Sequence, residues 1–112
     1  MLTIKATWNF FMGVMRLEKL SEQEVRSFLV QAVGWQLVED KWIEKKYRFD
    51  DYLKGIDFVQ NVARLAEEIN HHPVITIDYK LIRIKLFSWD ANGLTELDCQ
   101  LAKQYDNMYE AP

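Results

Sequence analysis

Histidine and cysteine are scarce in this chain. Its 112 residues contain two histidines, His71 and His72, and one cysteine, Cys99. A lone cysteine excludes an internal disulfide and fits a reducing compartment, so Cys99 reads as a small core residue and the expected location is cytoplasmic. Two adjacent histidines with no third, and a cysteine far from both, make a poor donor set for an ion, and no metal is expected. Positive charge is not in surplus either. The net charge is −3 at pH 7, and the Lys and Arg residues are dispersed, which removes the electrostatic basis for direct nucleic-acid contact. Long apolar runs are missing. Residues 6–15 are too few to span a bilayer, include Asn9, follow only Lys5 and lack a convincing small-residue cleavage site, so neither a membrane anchor nor a signal peptide is expected there. No linker, repeat or low-complexity tract interrupts the sequence.

What is present is one domain's worth of patterned chain. A single domain with one main site is expected over residues 21–112, preceded by an N-terminal extension over residues 1–20. For that extension the sequence leaves open an added strand, an added helix or a frayed leader. Ser21 and Glu24 form a capping box, and Val25, Phe28, Leu29 and Ala32 recur at helical spacing until Gly34, which predicts a helix over 21–33. Residues 35–39 and 42–49 read as a hairpin turning at Asp40 and Lys41; Ile43, Tyr47 and Phe49 share the face opposite Glu44, Lys46 and Arg48. A long apolar stripe from Tyr52 to Ile69 predicts a helix over 51–70. Alternation at Ile75, Ile77, Ile82, Ile84 and Leu86 predicts a second hairpin turning near Lys80. Thr95 and Asp98 resemble another capping box and open a last helix that runs almost to the C-terminus. The order α-β-β-α-β-β-α predicts an α+β fold, a four-stranded antiparallel sheet with helices packed on one face.

Proton chemistry near neutral pH concentrates in one run, Glu67, Glu68, Ile69, Asn70, His71, His72 and Pro73. A carboxylate four residues before an imidazole lies on the same helical face, so Glu67 is expected to orient His71. Proline disfavours helical geometry in the residue before it, which predicts that the helix ends around His72. Two other readings stand beside acid/base chemistry: a polar helix terminus that is favourable for its own sake, and a metal site built from Glu67, His71 and His72.

Over about residues 20–105 the chain resembles the pterin-4a-carbinolamine dehydratases. Glu67, His71, His72, Pro73, Tyr79, Trp89 and Asp98 fall at the spacing of that family's active-site pattern. Gly34-Trp35, Tyr47-x-Phe49 and Gly93-Leu94-Thr95 match its flanks. The resemblance implies dehydration of a 4a-hydroxytetrahydropterin to the quinonoid dihydropterin, in recycling for an aromatic amino-acid hydroxylase, with no cofactor. It implies Glu67, His71 and His72 as catalytic residues, and Asn70, His71, His72, Pro73, Phe87, Ser88, Trp89 and Asp90 as substrate contacts. Trp89 stands where many members carry a third histidine; an indole donates one hydrogen bond but cannot shuttle a proton. Asp98 is expected only to cap the last helix. A homodimer or homotetramer is implied, with paired edge strands. The alternative implied by the family is a non-enzymatic dimerisation or scaffold partner, or a molybdopterin-associated pterin-binding protein.

Overall fold

The computed structural model describes residues 17–110. Residues 1–16 of the expected extension lie outside the described residues. Leu20 already belongs to the fold, since its N–H donates to the Leu94 carbonyl at 2.8 Å.

Helix α1 (Glu22–Gln31) starts at the expected capping box: Ser21 Oγ accepts the Glu24 N–H at 3.1 Å, and Glu24 Oε1 accepts the Ser21 N–H at 3.0 Å. It stops two residues before the expected end, and the chain then reverses through Gly34 at φ +88°. Strand β1 (Gln36–Val38) is shorter than its pattern suggested. Trp35 leaves the ladder to bury its ring and donate its indole N–H to Asp106 at 3.3 Å, while Glu39 and Asp40 turn the chain with positive φ. Strand β2 (Trp42–Arg48) follows, then helix α2 (Tyr52–Ile69), strands β3 (Val74–Asp78) and β4 (Leu81–Leu86), and helix α3 (Glu96–Met108). All strand pairs are antiparallel, in the order β1-β2-β4-β3.

The central strands β2 and β4 carry the core. Ile43 pairs with Leu86, Lys45 with Ile84 and Tyr47 with Ile82, and all of these except Lys45 are fully buried. Phe58, Val62, Leu65 and Ile69 of α2 and Leu97, Leu101 and Tyr105 of α3 pack onto that face. Each such side chain contributes about 1.5–3 kcal/mol on leaving water. Gly55 lets α2 approach closely, because a Cβ there would stand 3.3 Å from the Phe49 ring. The opposite face carries Glu44, Lys46, Arg48, Arg83 and Lys85, as alternation predicted. Asp106 joins the layers by accepting from Tyr47 at 2.6 Å and from Lys45 at 2.8 Å. Among the described residues no helix is long and apolar enough to cross a membrane.

Candidate active site

The chain leaves α2 through a left-handed residue. Asn70 has φ 54° and ψ 45°, and the His71 N–H reaches back to the Ala66 carbonyl at 3.1 Å. The Ala66 carbonyl, which also accepts the Asn70 N–H, thus takes two donors as the helix closes. This closure ends the helical register before His71, so the expected Glu67–His71 pair does not form. Glu67 Oε2 instead lies 2.5 Å from His72 Nε2, and these side chains are 78 % and 53 % exposed. His71 turns inward and places Nε2 2.8 Å from Oδ1 of Asp98, a carboxylate with no exposed surface.

Asp98 therefore does more than cap α3. Its Oδ2 accepts the Thr95 N–H at 2.9 Å, the capping contact, and also the Ser88 hydroxyl at 2.7 Å. Thr95 Oγ1 lies 2.9 Å from Ser88 Oγ; with the Ser88 proton directed to Asp98, Thr95 is the donor of that bond. A carboxylate already accepting two N–H and O–H donors on one oxygen takes the His71 proton on the other. The bonding network thus assigns the ring proton of neutral His71 to Nε2 and leaves Nδ1 as its uncommitted nitrogen. Ser88 reaches this position because Ser88 and Gly93 exchange two backbone hydrogen bonds, at 3.0 and 3.2 Å, around a tight loop with Asn92 at φ 53°. Ser88 is buried and its hydroxyl is engaged in holding Asp98, a role beyond the lining expected of it.

A cleft of about 420 Å³ opens beside this network. Asn70, His71, His72, Phe87, Ser88, Trp89 and Asp90 line it together with Leu17, Ile69, Ala91, Thr95 and Leu97. Pro73 does not reach the lining; it acts on the backbone, holding His72 out of the helical region. Tyr79, a position of the sequence pattern, sits on the β3–β4 turn with its ring centroid 5.9 Å from that of Tyr52 and is not part of the cleft. Trp89 is 65 % exposed and meets Trp42 and Phe87 edge to face, with centroids 5.5 and 4.9 Å away. A larger groove of about 880 Å³ shares Phe87 with the cleft and is lined by the start of α1 and Asn92-Gly93, but by neither histidine.

Two groups on α3 register the buried charge of Asp98. Burial first, and Asp98 second, push the Cys99 thiol up to about 12 and hold the Tyr105 hydroxyl well above the usual tyrosine range. Cys99 is consequently inert as a nucleophile. Among the described residues no group of three His, Cys, Asp or Glu side chains is placed to hold a metal ion. Glu67, His71 and His72 in particular do not converge.

The sequence reading missed Asp98 as the partner of His71, as well as Thr95 and Leu17. The signal for Asp98 was its place in the spaced pattern, masked by a sufficient capping explanation. Residues 18–108 match the family described as Pterin 4 alpha carbinolamine dehydratase. Among similar proteins, one from Chloroflexus aggregans is 40 % identical over 92 residues, covering 82 % of this chain and 98 % of that protein. One from Sulfurisphaera tokodaii is 37 % identical with the same coverage. Both bear the provisional name pterin-4-alpha-carbinolamine dehydratase. The crystal structure of a transcriptional coactivator/pterin dehydratase from Brucella melitensis superposes with a TM-score of 0.79 at 29 % identity, covering 83 % of this chain and all of that one. A pterin dehydratase-like protein identified as a RuBisCO assembly factor shares the fold, with a TM-score of 0.61 at 22 % identity over 70 % of this chain and 93 % of that one.

Proposed function

As the chain belongs to the pterin 4 alpha carbinolamine dehydratase family, we propose that it removes water from a 4a-hydroxytetrahydropterin to give the quinonoid dihydropterin. The C4a–O bond breaks as the oxygen gains a proton and leaves as water. The N5–H proton is lost as the C4a–N5 double bond forms. Hydroxide is a poor leaving group, so each of the two transfers gains from a positioned acid or base, typically ~10²–10⁴-fold.

The observation that carries this reading is the buried Asp98 carboxylate on His71 Nε2. It fixes the imidazole in one tautomer and one orientation at the mouth of a cleft sized for a bicyclic ring, with Nδ1 left for the substrate. His71 is the main acid/base. His72, tethered to Glu67, stands against the 4a-oxygen, and the Trp89 indole forms a flat wall for the pterin. Turnover needs only protons and hydrogen bonds. In the cell the reaction serves recycling of the pterin used by an aromatic amino-acid hydroxylase. Likeness to the Brucella melitensis transcriptional coactivator/pterin dehydratase favours a scaffold role as a second reading, but a scaffold has no use for a buried carboxylate that orients a histidine in a cleft. The test is to generate the 4a-carbinolamine and follow its decay with and without the protein. Acceleration that scales with protein concentration is expected, and an unchanged decay rate overturns the reading.

A further inference from the structure

The ammonium of Lys41 sits in a box of three aromatic rings. Its Nζ lies 4.6 Å from the Trp89 ring centroid, 4.7 Å from that of Phe87 and 5.5 Å from that of Trp42. The rings meet at steep angles, 80° between Trp42 and Trp89, 78° between Phe87 and Trp89, and 44° between Trp42 and Phe87. Two of the walls are fixed by the fold, since Trp42 and Phe87 are buried; Trp89 is the exposed one. A ring edge alone holds an exposed indole weakly, whereas a cation over the ring restricts it further. Lys41 is itself held, at the end of a turn in which Glu39 and Asp40 adopt φ 58° and 52° and the Lys41 N–H donates to the Val38 carbonyl at 3.1 Å.

Lys41 touches the aromatic wall without lining the cleft that holds the histidines. Trp89 and Phe87 line the cleft with His71 and His72, while Lys41 lines the neighbouring groove with Phe87, Asn92 and Gly93. We propose that Lys41 is a positioning residue for substrate: seated in the Trp42–Phe87–Trp89 box, it pins the Trp89 indole as a preset wall against which the flat ring of the substrate stacks. The identity of that ring as a pterin rests on the function proposed above; the pinning of Trp89 does not.

The test compares the parent with Lys41→Met, Lys41→Arg and Trp89→Phe, all checked for unchanged melting temperature. Two indoles held face to edge give an exciton couplet in far-ultraviolet circular dichroism, which Trp89→Phe removes and which reads the Trp42–Trp89 geometry without any ligand. Lys41→Met keeps much of the side-chain volume and loses the charge. It is expected to weaken that couplet, to lower affinity for 7,8-dihydrobiopterin on the order of 3- to 10-fold, and to raise KM with kcat retained. Lys41→Arg restores all three, since guanidinium also stacks on indole. A Lys41→Met protein with the parent's couplet and affinity overturns the proposal. If the parent itself does not bind 7,8-dihydrobiopterin, the pterin reading falls, and loss or retention of the couplet in Lys41→Met still decides whether Lys41 pins Trp89.

Discussion

Asp98 and Glu67 show how much burial changes what a carboxylate does. Glu67 is solvated and partners an exposed imidazole, an arrangement that screening makes weak. Asp98 is sealed from water and accepts from Ser88, Thr95 and His71 at once, so its bonds set orientation. Asp98→Asn presents an amide N–H to at least one of these donors and loosens His71; a fall in kcat on the order of 10²-fold is expected. Glu67→Gln should change kcat by no more than about 5-fold, as befits an exposed pair. Steady-state rates for both variants, measured beside their thermal melts, check the ranking. The sequence displayed both carboxylates. It could not tell which one met His71, because (i, i+4) proximity presumes a helix that continues, and one left-handed residue, Asn70, cancels that presumption.

Elements were legible wherever one face was buried and the other wet. The stripe of α2, the alternation of β2 and β4 and the Ser21 box all located their elements, because periodicity there reports burial directly. The failures sit at ends, where one side chain or one φ decides. Asn70 is the clearest of these. A left-handed conformation suits glycine and is tolerated by asparagine, but costs other residues about 1 kcal/mol. Asn70→Ala should therefore destabilise the protein by about 1 kcal/mol, with Asn70→Gly neutral or slightly stabilising. Urea unfolding of the two variants separates a conformational cost from a lost side-chain contact, since Gly lacks the side chain as Ala does.

At the scale of the whole molecule, three buried acids set an alkaline limit. Burial raises the proton affinity of Cys99, Tyr47 and Tyr105 above their ordinary values of 9.0, 10.0 and 10.0, and Asp106 adds to it at Tyr47. Each binds its proton more tightly folded than unfolded. Their contribution is present in full below the unfolded-state values and is lost as pH rises beyond them, for Cys99 up to about 12. The slope is about 1.4 kcal/mol per pH unit for each group in its window. Melting temperature should fall steadily between about pH 9 and about pH 11, and Cys99→Ala should flatten the first part of that fall. The one-sided core was readable from the sequence, but its tie through Asp106 was not. That carboxylate gathers Trp35, Lys45 and Tyr47 from 71, 61 and 59 residues away, and no local pattern announces a contact of such span.

The pairing of His71 with Asp98 closes across 27 residues, and its supports, Ser88 and Thr95, lie on the far side of β4. A chain with α2 and both hairpins in place still has no oriented imidazole until the start of α3 docks. A contact between segments this far apart in sequence follows the local helices and turns it joins. On the function proposed above, turnover therefore reports the docking of α3 against the end of α2. When denaturant is diluted, helical ellipticity should recover ahead of turnover, and the interval between the two measures how long formed helices wait for the histidine to meet its carboxylate.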